Sequence, residues 1–226
     1  MSSPALLFDL DGTLVDNVYA HVLAWQQALR GLGIELSAWR IHRRIGMSGG
    51  LLANAVLRES GRPVTPEDEA ALQRLHTQAY GRLLEQLGPL RAVPGAQALL
   101  AHLSRAKIPF AIATSGRLEN ARPALALLGP LDGVPIVTRD EVSHAKPNPD
   151  LFLAAAQRLS VDIHSAFVVG DSVWDLLAAR RAHALGVGLR SGGYGQAELE
   201  QAGAYRVYQD ADDLLHHLDE LGLRVA

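Results

Sequence analysis

"FDLDGTLVD", residues 8–16, comes directly behind the apolar run Ala5-Leu6-Leu7 and holds three aspartates, Asp9, Asp11 and Asp16. An apolar run that ends in acids reads as a buried strand delivering carboxylates to its carboxyl end. In extended chain, positions two apart project to the same side, so Asp9 and Asp11 can face one site, and Gly12 permits a sharp exit. Carboxylates this close disfavour one another's ionised forms, which calls for a cation or a proton-transfer task to absorb the repulsion. The plainer reading is a polar turn, since Asp and Gly are common turn residues. What the rest of the chain offers beside this strand decides between the two.

From Asn17 to about Leu90 the periods are helical: Val18, Val22, Trp25 and Leu29 recur at spacings of three and four, as do Leu72, Leu75, Ala79 and Leu83. Thr65 followed by Pro66, Glu67 and Asp68 marks a helix start, with a hydroxyl cap, proline in the first turn and acids at the positive end of the dipole. After Val93, short apolar runs alternate with helical segments. Residues 108–114, 134–138, 166–170, 184–189 and 205–208 read as strands. Such alternation implies a parallel sheet covered on both faces, and the strand at 5–9 matches the later ones. The expected fold is therefore α/β: a doubly wound parallel sheet of residues 1–15 and 93–226, interrupted by an all-helical domain of residues 16–92.

Composition narrows the function classes. The 226 residues are 48% hydrophobic, enough for a substantial core, and 21 lysines and arginines against 24 acids give a formal net charge of -3 without a basic stripe. Nucleic acid is not an expected partner. With no cysteine, disulfides, zinc-thiolate sites and thiol catalysis are excluded. No segment reads as a signal peptide or a membrane span, so a cytoplasmic protein without a membrane partner is expected.

Ligands of open α/β sheets bind outside the carboxyl ends of the strands, so each strand end is informative. The run Ala111-Ile112-Ala113 ends in Thr114-Ser115-Gly116, a hydroxyl with small residues whose N–H groups could approach an anion. The third strand is followed by Lys146, held before Pro147. "FVVGDSVWD", residues 167–175, repeats the opening pattern: Gly170 and Asp171 end a strand, and Asp175 lies in the first turn of a helix with Ser172 at its cap. Each feature alone is an ordinary turn, a solvated lysine or a capped helix. Four strand ends offering Asp-x-Asp, Thr, Lys and Asp in that order are not explained as independent turns.

These residues resemble the four motifs of the haloacid dehalogenase superfamily of phosphohydrolases: Asp9-Leu10-Asp11-Gly12-Thr13, Thr114, Lys146, and Gly170-Asp171 with Asp175. A helical cap after the first strand is similar to the branch containing phosphoglycolate phosphatases and β-phosphoglucomutases. The resemblance implies Asp9 as nucleophile and Asp11 as general acid and base. It also implies Mg²⁺ held by the Asp9 carboxylate, the Asp11 carbonyl and Asp171, with Asp175 as ligand or supporting partner. Thr114, Ser115 and Lys146 would bind phosphoryl oxygens. Asp11 disfavours the halide-removing branch, which lacks that acid, and the absence of lysine from 17–92 disfavours phosphonatases. His21 and Trp25 resemble substrate-specificity positions of the sugar-phosphate branch, and the segment from Arg44 to Gly50, with Arg44 and Met47, is expected to tune specificity. β-Phosphoglucomutases carry basic residues where Ile45 and Gly49 stand here, which favours a phosphatase of small phosphate esters over a mutase. The alternatives from another class are a receiver-like phosphorylation switch, though such modules are about half as long and place the acidic pair and the phospho-acceptor on separate strands, and a binding protein without turnover, which the presence of every catalytic position of the family disfavours.

Overall fold

The computed structural model describes residues 4–61 and 64–223, so the ends of the expected ranges, 1–3 and 224–226, lie outside it. The chain divides into two compact units, Met1–Asp16 with Arg91–Ala226, and Asn17–Leu90.

The first unit is built on a six-stranded sheet in the order β5-β4-β1-β6-β7-β8, all parallel. Its strands are β1 (Ala5–Phe8), β4 (Phe110–Ala113), β5 (Ile136–Val137), β6 (Ala166–Gly170), β7 (Leu185–Leu189) and β8 (Ala204–Tyr208). The helices of this unit are α5 (Ala96–Arg105), α6 (Leu118–Leu125), α7 (Asp150–Leu159), α8 (Val173–Ala182), α9 (Gln196–Ala202) and α10 (Ala211–His216). β1, β4 and β6 are buried along their whole length, as a sheet covered on both sides requires. Alternate residues take opposite faces: Ala5, Leu7, Ala111, Ala113 and Val168 join Leu151, Phe152 and Ala155 of α7 and Ala178 and Ala179 of α8 in one core.

Two strands are shorter than their apolar runs by more than one residue. Expected over 134–138, β5 keeps only Ile136–Val137, because the Val134 N–H turns back to the Leu131 carbonyl and Thr138 and Glu141 cap the turn that follows. β4 begins at Phe110 because Pro109 has no N–H to give a ladder, although its carbonyl accepts from Leu6. A feature outside the sequence reading is a two-residue antiparallel ribbon, β2 (Val15–Asp16) with β3 (Arg91–Ala92), at the edge of the helical segment.

The second unit holds α1 (Val18–Gly31), α2 (Ala38–His42), α3 (Gly49–Glu59) and α4 (Pro66–Leu87). Val18, Val22, Trp25 and Leu29 of α1 share a core with Leu52, Val56 and Leu72, as their spacing implies. α4 starts where expected, the Thr65 hydroxyl accepting from the Asp68 N–H at 3.1 Å. No described helix is long and apolar enough to cross a membrane.

Candidate active site

Strand order fixes where the acids meet. The chain leaves β1 toward β4 on one side and leaves β6 toward β7 on the other, so a crevice opens between the carboxyl ends of β1 and β6. Asp9 follows β1 and Asp171 follows β6, one on each lip of that crevice. The Asp9 N–H extends the ladder to the Val169 carbonyl at 2.9 Å. Gly12, with φ of 84°, makes the exit foreseen for it. The turn closes through the Gly12 N–H to the Val15 carbonyl at 2.7 Å. It leaves Thr13 buried, its hydroxyl donating to Asp171 Oδ1 at 2.8 Å.

Lys146 occupies the centre. It is fully buried, donates to Asp9 Oδ1, and lies 2.8 Å from Asp175 Oδ1. Burial by itself would lower the ammonium's pKa, but Asp175 and Asp9 together outweigh it and the net direction is upward. The Asp9 carboxyl is pushed up to about 7, first by burial and then by Asp175 and Asp11, with Lys146 opposing. Asp171 is raised as well, by burial and then by repulsion from Asp175 and Asp9. One cation thus faces three buried carboxylates and leaves the cluster short of positive charge.

The donor set fits a hard divalent cation. Asp9, Asp171 and Asp175 are buried and offer carboxylate oxygens within 4.8 Å of one another. Asp175 Oδ1 is buried and faces the Lys146 ammonium at 2.8 Å, an ion pair that leaves this oxygen lone-pair capacity for a cation. An all-oxygen, carboxylate-rich site of this kind suits Mg²⁺. The other Asp175 oxygen is held, Oδ2 accepting from the Ser172 N–H at 3.1 Å and the Ser172 hydroxyl at 2.5 Å. Ser172 is the N-cap of α8, as the sequence implied, and forms a capping box with Asp175 that holds this carboxylate.

On the other side of β1, the Thr114 hydroxyl accepts from the Gly116 N–H at 2.9 Å and reaches Asp11 Oδ2 at 3.4 Å. Thr114 is buried, while Asp11 and Ser115 are partly exposed. The structure thus brings Asp9, Asp11, Thr114, Lys146, Asp171 and Asp175 to one end of the sheet, with Ser115 next in the β4 turn.

Two contributions escaped the sequence reading, and both follow β7. Ser191 donates to the Gly12 carbonyl at 2.6 Å, bracing the β1 turn. Gly192 presses on Asp171: a Cβ there would fall 1.7 Å from Oδ2 and 2.5 Å from Cγ, although the backbone is one that any residue adopts. Asking of residues 185–189 what their carboxyl end delivers would have pointed to Ser191-Gly192. Gly192→Ala is expected to displace the Asp171 carboxylate and weaken divalent-cation binding roughly 10-fold or more. A Mg²⁺ titration followed by thermal shift measures this, and an unchanged midpoint would remove Gly192 from that role.

The four residues expected to tune specificity lie in the helical unit and fall into different settings. His21 stacks on Tyr80 with centroids 4.1 Å apart and meets His76 Nε2 through Nδ1 at 3.2 Å. Trp25 is buried and stacks on His76 at 4.2 Å. Arg44 is engaged by Glu59 and by the Arg40 carbonyl, and Met47 is half-buried beside it in sequence. His76 and Tyr80, four residues apart on α4, were not singled out in the sequence because their partners lie more than fifty residues upstream.

Comparison with known proteins agrees with this geometry. A family model described as haloacid dehalogenase-like hydrolase matches residues 4–183. Hexitol phosphatase A of Escherichia coli K12 is 32% identical over 98% of this chain and 94% of its own. β-Phosphoglucomutase of Bacillus subtilis is 30% identical over 93% of this chain and 91% of its own. The crystal structure of a hydrolase from Pseudomonas syringae superposes with a TM-score of 0.91 at 51% identity, covering 96% of this chain and 99% of that one. With strand order, strand-end acids and full-length relatives in agreement, the chain belongs to the haloacid dehalogenase-like hydrolases.

Proposed function

We propose that the protein is a Mg²⁺-dependent phosphoric monoester hydrolase of small phosphorylated metabolites, of the sugar-phosphate or phosphoglycolate type, working through an aspartyl-phosphate on Asp9. The observation that carries this reading is the buried meeting of Asp9, Asp171 and Asp175 around Lys146 at the strand ends. A phosphatase among the full-length relatives supports it.

In the first step an Asp9 oxygen attacks phosphorus, the bond to the ester oxygen breaks, and the leaving oxygen takes a proton from Asp11. Water then attacks the aspartyl-phosphate, Asp11 takes back a proton, and inorganic phosphate leaves with Asp9 restored. The partial exposure of Asp11 suits a group that must meet both the leaving alcohol and water. Lys146 and Thr114, with Ser115, hold phosphoryl oxygens, and Lys146 also tempers repulsion between the nucleophile and its anionic target. Held by Asp9, Asp171 and the Asp11 carbonyl, with Asp175 beside them, Mg²⁺ would supply further neutralisation of phosphoryl charge.

Residues 17–90 are read as a cap that shapes the leaving-group pocket and limits water, with His21, Trp25, Arg44 and Met47 as its specificity residues. Hydrolysis is favoured over a mutase reaction because Ile45, where that branch carries a basic group, is buried in the apolar core of the helical unit.

The test is a panel of phosphomonoesters with Mg²⁺. Turnover is expected on small sugar, polyol or two-carbon phosphates, with none in excess chelator. Activity that survives the chelator, or a panel with no turnover, would overturn the reading. Asp11→Asn should lower kcat roughly 10²- to 10⁴-fold, and more for esters with poor leaving groups. An equal rate on a poor leaving group would remove Asp11 from acid/base catalysis.

A further inference from the structure

We propose that Arg181, on α8, is a positioning residue that sets Lys146 by gripping the main chain next to it. Arg181 Nη1 donates to the Pro147 carbonyl at 2.9 Å. Six residues earlier on the same helix, Asp175 Oδ1 lies 2.8 Å from the Lys146 ammonium. A single rigid element therefore holds both ends of Lys146: the charged tip through Asp175, and the backbone at its root through Arg181. A long flexible stem is fixed in direction only when both ends are held, because the rotamers that would carry the amine away are then excluded. The tip is also held over the Phe152 ring, whose centroid lies 5.3 Å from the ammonium nitrogen.

The far side of the loop is anchored independently. Arg139 donates from its side chain to the Val142 and Ser143 carbonyls and from its main-chain N–H to the Gly116 carbonyl, which ties the Lys146 loop to the turn carrying Thr114. Arg181 is the complementary anchor, joining the same loop to the helix that carries Asp175. Because Arg181 is exposed, this hydrogen bond contributes little to global stability. Its effect is on position, and small misplacements of a charged group at a reacting centre change rates strongly.

The sequence makes a direct test possible. Lys146 and the exposed Lys107 are the chain's two lysines, so acylation by an amine-reactive ester, followed by mass spectrometry of the two peptides, reports each separately. In the intact protein Lys107 should react fast and Lys146 slowly. Arg181→Ala is expected to speed acylation of Lys146 roughly 3- to 10-fold through local opening of its loop, with Lys107 and the melting temperature unchanged. Arg181→Lys, which keeps a donor for the carbonyl, should restore most of the protection.

The functional consequence rests on Lys146 binding the phosphoryl group. If it does, Arg181→Ala raises the inhibition constant of inorganic phosphate and KM roughly 3- to 10-fold with a smaller change in kcat. The two readouts separate two failures. Unchanged acylation of Lys146 overturns the clamp itself. Faster acylation with unchanged phosphate inhibition leaves the clamp standing and overturns the phosphate-binding role of Lys146. A fall in melting temperature with equal acceleration at both lysines shows general loosening and also overturns the clamp.

Discussion

Asp9→Asn is expected to abolish turnover, by roughly 10³-fold or more, in a protein that folds as the parent does. The amide is nearly isosteric with the carboxylate and can still accept from Lys146 through its oxygen, but it has no anionic lone pair to open the attack on phosphorus. Loss of a negative charge should not unsettle the site. Asp9 is buried beside Asp175 and Asp11, and its carboxyl is raised to about 7, so ionisation there opposes folding at neutral pH. Lys146 keeps Asp175 as its counter-charge in the variant. The expected pair of results is thus a dead enzyme with a melting temperature at or above the parent's, read by steady-state kinetics on the best ester and by thermal melts without metal. A purified variant retaining more than a few per cent of the parent rate would show that another group attacks phosphorus. A variant that fails to fold would contradict the charge argument.

How far the sequence carried the fold depended on how local each signal was. Residues 166–170 form the strand their apolar run implies because every residue of β6 is buried between two neighbouring strands. The ribbon of Val15–Asp16 with Arg91–Ala92 left no such trace: two residues carry no period, and their pairing spans some seventy-five positions. The site followed the same division. Asp9, Thr114 and Asp171 announced themselves as polar residues ending apolar runs, whereas Lys146, in the loop before Pro147, and Asp175, in the first turn of a helix, became legible only as members of the ordered set. Thr13 was quoted as part of a motif, but its bond to Asp171 across 158 positions exists only once β1 and β6 are adjacent. Gly192 and Arg181 were silent because their effect is steric in one and a main-chain contact in the other, and neither residue type signals chemistry by itself. Side chains that perform chemistry are legible where charge or hydroxyl breaks an apolar pattern, whereas those that position them depend on contacts only the fold creates.

Asp171→Asn should separate binding of the cation from stability, moving the two in opposite directions. In the metal-free protein Asp171 is buried beside Asp9 and Asp175, with Lys146 as the counter-charge, and both Asp9 and Asp171 hold their protons more tightly folded than unfolded. An acid whose folded pKa is raised favours the folded state below its unfolded value and loses that contribution as pH rises toward the folded value. Metal-free protein should therefore lose stability as pH climbs from about 4 through about 7, the window set by the Asp9 shift from 3.8 to about 7. Mg²⁺ should restore stability above that window, because a bound cation offsets the repulsion that raises Asp9 and Asp171. Asparagine at 171 still accepts from the Thr13 hydroxyl through its oxygen but removes one charge from the cluster. Without metal at pH 7.5, the variant should melt above the parent by about 1 to 2 kcal/mol, or roughly 2–8 °C. Added Mg²⁺ should stabilise the parent and leave the variant almost unmoved, and any residual turnover should need at least about 10-fold more Mg²⁺. Thermal melts at pH 5 and 7.5, with and without Mg²⁺, contain the whole test. Equal Mg²⁺ stabilisation of parent and variant would take Asp171 out of the cation site, and a variant less stable than the metal-free parent at pH 7.5 would show that repulsion among the carboxylates is not what strains this end of the sheet.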